Sequence, residues 1–404
     1  MKKLLMSFFQ FESLVRNTAD YDIQRVAVVG TGLMGHGIAQ AFAINGFDVS
    51  LLSRHEKNLQ LALQKIRWSL SKFAKKGKMN QKELNDTLGR IKTSTSYGKG
   101  LRDVDLVVES VPEKMELKKQ VFSKIDKYAP AHAIIATNTS ALSVTEMGRA
   151  TKRPEKIVGM HWFVPPQMIP LVEVIKGDDT NSETLDIIRD VSEKLGKTAI
   201  VCKKDVRGFI VSRILVSVFN EAFWTYIRKE ASIEEIDSAV KYRGRFPMGW
   251  FELVDFVGVD IEREVSKILY DAHGKRFFFH PEVTEPLLKS NRLGKKMGYG
   301  FYDWTQGRPK ISENINGKYC VERSWAVAVN EAAWIVNEQV AEPTSIDLGM
   351  KLGTGWSLGP CEYANKQGVD AVLDTLKSAY NQHSIELYNP CPLLKKIKKK
   401  GFYS

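Results

Sequence analysis

Short apolar runs of strand length alternate with stretches of helical spacing across the first half of this chain. Residues 23–29 form the first run, and 37–43 continue with apolar positions at helical spacing. A turn at Asn45-Gly46 leads to a second strand at 48–52. Residues 59–97 are mostly helical in pattern, with Gly77 and Asn80 marking a turn between two helices. Further strands are predicted at 104–109, 133–137, 157–160 and 171–175, and a helix opening at Pro112 follows the first of them. Strands alternating with helices predict an α/β domain built on a largely parallel sheet.

Between the first strand and the first helix stand Gly30-Thr31-Gly32-Leu33-Met34-Gly35. A GxGxxG segment carries meaning in this strand–turn–helix setting, where it predicts a Rossmann-type dinucleotide-binding domain. Gly30 permits the tight turn, Gly32 lets the backbone approach a pyrophosphate, and Gly35 lets helix and strand pack closely. The helix start supplies free N–H groups and positive partial charge to the phosphates. Thr31, Leu33 and Met34 belong to the same cofactor loop. At the end of the second strand an NAD enzyme usually carries an acid for the ribose 2′-OH. Here the chain has Ser53-Arg54-His55, and the nearest acid, Glu56, falls later. A hydroxyl and a guanidinium suit a 2′-phosphate. The sequence therefore inclines to NADP(H), with NAD(H) held through the remaining contacts as the alternative.

Ligands of open α/β sheets bind beyond the carboxyl ends of the strands. Glu113 and Ser140 occupy such places, where each also fits the role of a helix or loop cap. His161 closes the run at 157–160, Pro165-Pro166 turns the chain, and Glu173 lies inside the apolar segment 171–175. A carboxylate within a buried strand needs a partner. Paired with His161, it fixes the imidazole tautomer and leaves a general base able to take a hydroxyl proton. A lone histidine would more often be a hydrogen-bonded core residue; the nearby fingerprint favours catalysis.

Composition narrows the class without choosing the chemistry. The chain has 404 residues, enough for two or three domains, with 43% hydrophobic and 26% charged residues, as in soluble globular proteins. Its formal charge of +12 points to a polyanionic partner, and a lysine cluster at Lys72, Lys75, Lys76 and Lys78 is either a solvated helical face or a phosphate anchor. No nucleic-acid groove-reading motif accompanies the charge, and no stretch has the length to span a bilayer. The four cysteines show no framework spacing, so a reducing, cytoplasmic setting is expected. No metal-ligand spacing is recognised. Residues 1–22 are read as an N-terminal extension and 305–319, polar and glycine-containing, as a linker.

The second half repeats itself. Asn220-Glu221-Ala222 recurs as Asn330-Glu331-Ala332, Ile236-Asp237 as Ile346-Asp347, and Gly258-Val259-Asp260 as Gly368-Val369-Asp370, always 110 positions on. Gly249 and Glu252 recur as Gly359 and Glu362 at the same distance. The expected fold is thus a Rossmann-type domain at 23–204 followed by an all-α helical domain in two copies, at 205–304 and, shortened, at 320–404.

Taken together, these motifs resemble the (S)-3-hydroxyacyl-CoA dehydrogenases, including 3-hydroxybutyryl-CoA dehydrogenases, over residues 23–302. The resemblance is also carried by Val107-Val108-Glu109-Ser110-Val111-Pro112-Glu113, Asn138-Thr139-Ser140, Pro247-Met248-Gly249-Trp250 and Gly298-Tyr299-Gly300-Phe301-Tyr302. It implies His161 as base, Glu173 as its partner and Ser140 as hydrogen-bond donor to the substrate oxygen. It also implies that Glu113, Lys118 and Lys296 line the cofactor site and that Ser69 and Lys76 contact the coenzyme A of an acyl-CoA thioester. Two departures stand out: Val164 and Ser212 replace asparagines usual in the family, which puts the substrate in question more than the chemistry. A free 3-hydroxy-acid dehydrogenase and a non-catalytic nucleotide-binding regulator are the other readings. In the family the helical domain forms the homodimer contact, so a fused second copy implies a pseudo-dimeric monomer, with a homodimer as the alternative.

Overall fold

The computed structural model describes residues 23–313, 318–398 and 400–403; the N-terminal extension lies outside them. An eight-stranded sheet runs in the order β3-β2-β1-β4-β5-β6-β7-β8. Its strands are β1 (Arg25–Val29), β2 (Asp48–Leu52), β3 (Ile91–Ser94), β4 (Leu106–Glu109), β5 (Ile134–Thr137), β6 (Ile157–Trp162), β7 (Leu171–Ile175) and β8 (Thr198–Cys202). The first six are parallel; β7 runs antiparallel to β6, and β8 parallel to β7. Strands β4 to β7 are buried along their whole length, which accounts for their unbroken apolar runs. Chain order reverses at β1, flanked by β2 and β4, and this places the glycine loop at the crevice where such sheets take ligands.

Three expectations need correcting. Residues 59–97 are not all helical between Leu59 and Tyr97: after α1 (Leu33–Ile44), α2 (Glu56–Lys75) and α3 (Gln81–Gly89), the edge strand β3 appears at Ile-Lys-Thr-Ser. A four-residue edge strand with one buried side chain has no apolar run to announce it. The helix expected from Pro112 starts at Met115, because Glu113 is held in the loop by hydrogen bonds described below. Strand β6 does not close on His161 but runs one residue further, to Trp162.

The remainder is helical. Helices Val211–Ile227, Trp250–Val257 and Val259–His273 have the same lengths as Val321–Asn337, Pro360–Gln367 and Val369–His383, each starting 110 positions later. Local wiring repeats as well. Asp237 accepts from the N–H groups of Phe251 and Glu252 (2.9 and 2.8 Å), and Asp347 from those of Cys361 and Glu362 (2.8 and 2.9 Å). Gly249 and Gly359 make room for these aspartates: a Cβ at either would stand 2.2 Å or less from the facing carboxyl group.

The two helical segments also face each other reciprocally. Arg213, fully buried, gives its Nε to Glu331 at 2.7 Å and its Nη1 to Glu338 at 2.8 Å. Arg323 pairs with Glu221 at 3.0 Å and Glu230 at 2.8 Å. Arg213 and Arg323 are 110 positions apart, as are Glu221 and Glu331. One continuous core joins the lower face of the sheet (Val107, Leu171, Ile175) to both helical segments, while α1, α2 and Ser182–Lys194 cover the other face. Within the segment expected as a linker, Ile311 and Ser312 are fastened: the hydroxyls of Tyr242 and Ser238 donate to their carbonyls (2.8 and 2.7 Å).

Candidate active site

The glycine loop is built by close approach. Gly30 has φ +117°, and a Cβ there would meet the Ser110 carbonyl at 2.2 Å; one on Gly35 would meet the Gly30 carbonyl at 2.0 Å. Gly32 differs, because nothing lies within 4 Å of its bare side. That open face, at the N-cap of the twelve-residue α1 with no acid in its first turn, fits an approaching pyrophosphate. Leu33 is exposed, and Thr31 and Met34 are partly exposed beside it. Ser53 follows β2 half-buried and Arg54 is exposed, with no carboxylate paired to it among the described residues.

Beneath the loop, two carboxylates and the Val111 carbonyl surround one amine. The Lys118 ammonium is buried against Glu109 (2.8 and 2.9 Å) and reaches Glu113 at 3.3 Å. Burial alone would lower this amine, but the two carboxylates outweigh it and hold it above the ordinary lysine range. Glu113, where burial raises and Lys118 and Thr139 lower, ends below the ordinary carboxylate range. Its Oε1 accepts from the Thr139 hydroxyl and from the N–H groups of Ser140 (3.0 Å) and Ala141 (3.3 Å). The carboxylate therefore fixes the loop that presents Ser140, whose hydroxyl has no partner among the described residues. Lys118 stands behind Glu113, with 1% of its surface exposed.

His161 and Glu173 are directly opposed residues of the antiparallel pair β6–β7. Nδ1 of the imidazole lies 2.6 Å from Oε2 of the carboxylate, and this leaves Nε2 as the free nitrogen. The other carboxylate oxygen accepts from the N–H groups of Ile210 (3.1 Å) and Val211 (3.0 Å), at the start of helix Val211–Ile227. Glu173 thus uses both oxygens in one orientation, and the helix end favours its negative charge. Phe163 stacks obliquely on the imidazole with ring centres 4.5 Å apart. Asn138 ties the neighbouring loops together, accepting from the Trp162 N–H (2.9 Å) and donating to Ser110 (3.4 Å).

The loop between the pair contains a cis Val164–Pro165 bond and lies against α1 and α2. Gly37 leaves room for Pro166, and the Gln167 amide donates to Ser69 at 3.4 Å. Ser69 is therefore brought to this site. Lys76 lies seven residues further along α2, roughly 10 Å away at 1.5 Å per residue, and is exposed. Ser212 sits half-buried in the first turn beside the donors to Glu173. Lys296 is not gathered with the others: its ammonium is bound to Asp260 at 2.5 and 2.6 Å in the helical half. No group of three or more His, Cys, Asp or Glu that could hold a metal occurs among the described residues, and none of their helices is long and apolar enough to cross a membrane. Glu109 and Thr139 stand in recognisable motifs and Ile210 and Val211 do not announce themselves, but the sequence gives none of the four its role as a brace or backbone donor.

A dinucleotide cradle beside a carboxylate-braced histidine defines an NAD-dependent oxidoreductase. Residues 25–206 match the 3-hydroxyacyl-CoA dehydrogenase NAD binding domain, and residues 208–304 and 319–404 match the 3-hydroxyacyl-CoA dehydrogenase C-terminal domain. The chain belongs to the 3-hydroxyacyl-CoA dehydrogenase family. It is 38% identical over 283 residues to 3-hydroxybutyryl-CoA dehydrogenase of Clostridioides difficile, covering 70% of this chain and all of that one. It is 33% identical over 399 residues to the fatty acid oxidation complex subunit alpha of Idiomarina loihiensis, across 94% of this chain and 56% of that longer protein. The crystal structure of 3-hydroxybutyryl-CoA dehydrogenase from Escherichia coli K12 superposes with a TM-score of 0.84 at 27% identity, over 93% of this chain and 98% of that one.

Proposed function

We propose that this chain interconverts (S)-3-hydroxyacyl-CoA and 3-oxoacyl-CoA, on short chains such as 3-hydroxybutyryl-CoA and acetoacetyl-CoA. The observation that carries the reading is the two-sided fixing of Glu173, with His161 on one oxygen and two backbone donors on the other. Gly30, Gly32, Gly35, Thr31, Leu33 and Met34 would cradle the dinucleotide, with Glu113 at the border of the cleft. When bound there, a nicotinamide would supply hydride-transfer chemistry to the substrate carbon. His161 Nε2 takes the hydroxyl proton in oxidation and gives it back in reduction. Glu173 keeps Nδ1 protonated and stabilises the imidazolium, and Ser140 donates to the substrate oxygen. Ser69 and Lys76 bind coenzyme A, and Ser212 borders the acyl group. Acetoacetyl-CoA reduction, compared with free acetoacetate, tests the substrate class; equal turnover of the free acid overturns it.

Cofactor choice follows from Ser53 and Arg54, which offer a 2′-phosphate a hydroxyl and a guanidinium with no competing acid; NADPH is used appreciably alongside NADH. Initial rates with each, in the parent and in Arg54→Ala, test this; a strong NADH preference unchanged by the substitution counts against it.

The helical half is a duplicated domain, at 205–304 and 320–404, following a dinucleotide-binding domain at 23–204. Support comes from the reciprocal pairs Arg213–Glu331 and Arg323–Glu221, the pattern an isologous interface produces. The second copy covers within one chain the surface that a partner subunit would cover, so the protein is a pseudo-dimeric monomer. A light-scattering mass near twice 45.7 kDa that resists dilution would overturn this.

A further inference from the structure

Helix Pro343–Thr354 in the C-terminal helical segment carries glycines at 349 and 353, one turn apart and on one face. Glycine weakens a helix interior, so two on one face call for a packing reason. A methyl group on Gly353 would stand 2.7 Å from Leu171 Cδ2 and 3.7 Å from the Phe163 ring. One on Gly349 would stand 2.8 Å from Ile200 and 3.2 Å from Val211. Phe163 is the ring stacked on His161, Val211 gives its N–H to Glu173, and Leu171 lies two residues before Glu173 in β7. The bare face of this helix therefore touches a neighbour of each member of the catalytic pair. At the corresponding places 110 positions earlier stand Ala239 and the long side chain of Arg243.

Two further contacts fix the helix in that position. The Lys203 N–H donates to the Val340 carbonyl at 2.8 Å, just before the helix begins, and the Lys203 ammonium pairs with Glu342. Arg213, two residues past Val211, is locked to Glu331 and Glu338 of the same C-terminal segment.

We propose that helix Pro343–Thr354 is the back wall of the active site, with Gly349 and Gly353 as positioning residues that set the His161 ring and the Glu173 carboxylate. The C-terminal segment, which has no base or glycine loop of its own, contributes to turnover by holding Phe163 and Val211 in place. The inference rests on the proposed roles of His161 and Glu173.

The test is a graded series in the full chain: Gly353→Ala, Gly353→Leu, Gly349→Ala, and Thr344→Leu on the exposed face of the same helix. With acetoacetyl-CoA and NADH, Gly353→Leu is expected to lower kcat on the order of ten- to a hundredfold, the scale on which small displacements of reacting groups act. The KM for NADH stays near the parent value, since the glycine loop is untouched, and the pH profile of kcat shifts because the base has moved. The alanine variants stay folded with the KM for NADH near the parent value while kcat falls and its pH profile shifts, a separation that a merely structural role does not produce. Thr344→Leu leaves kcat unchanged. Parent-like kcat and pH profile in a folded Gly353→Leu overturn the proposal; if that variant does not fold, unchanged kcat in both alanine variants overturns it. His161→Ala, run alongside, separates the two readings. Retained turnover there removes the assignment of the base, whereas lost turnover with parent-like glycine variants removes only the back wall.

Discussion

Lys197 holds its ammonium 4.9 Å from the centre of the Trp162 indole, and donates to the carbonyls of Pro166 (2.8 Å) and Ile169 (2.6 Å). The lysine thus fastens the loop that connects His161 to Glu173. No acid is paired with it among the described residues, and burial pushes its amine from 10.5 down to about 8. Between these values the native chain binds fewer protons than the unfolded one, so stability rises with pH. Below pH 8 both states are protonated and the dependence vanishes. Urea denaturation from pH 7 to 10 is expected to show this rise in the parent and a flatter curve in Lys197→Met.

Glu173→Gln tests the brace of the base. A carboxamide has one acceptor oxygen, whereas Glu173 meets three donors, His161 Nδ1 and two backbone N–H groups. Its NH2 group must face one of them. The expected result is a fall in kcat of about 10²–10⁴ with little change in the KM for NADH, measured by initial rates.

Ser53→Asp tests the cofactor end of the cleft. A carboxylate after β2 repels a 2′-phosphate and accepts from a ribose hydroxyl. Charged hydrogen bonds of this kind shift binding by roughly ten- to a hundredfold. The ratio of kcat/KM for NADPH to that for NADH is expected to drop by that amount.

The reciprocal ion pairs are expected to differ in strength. Glu331→Gln leaves the buried Arg213 with Glu338 alone, and a loss of about 3 kcal/mol is expected, as for a buried pair losing one partner. Glu221 is different: burial, only partly opposed by Arg323 and Tyr388, raises its carboxyl above the ordinary range. Glu221→Gln therefore costs less. Guanidinium denaturation of the two variants compares them directly.

The features legible in the sequence were those that local geometry dictates. Gly30 and Gly35 are required by contacts within a few residues or an adjacent strand, so the glycine spacing revealed the loop. The His161–Glu173 pair was visible because a carboxylate within an apolar strand demands a partner, and the register of β6 and β7 supplies it. Lys118, Lys197 and Arg213 gave no such sign, since an isolated Lys or Arg looks like a surface residue until the fold buries it. Glu113 was placed with a helix or a loop cap as its structural alternatives, and the fold shows the loop: it fastens residues 139–141 instead of opening a helix. Strand β3 escaped notice because its side chains alternate weakly at a sheet edge. The periodicity of 110 exposed matching segments, yet only the structure shows Arg213 and Arg323 reaching across in opposite directions.

That crossing has an evolutionary consequence. In a symmetric pair of identical chains every substitution strikes twice, once on each side of the axis, and the two catalytic centres share its effect. Here residues 110 positions apart are encoded separately, and among the described residues only one of the two helical segments carries the donors to Glu173. Glu338 can change while Arg228, its counterpart 110 positions earlier, stays as it is. Such a chain can tune the support beneath a single His161–Glu173 pair one residue at a time.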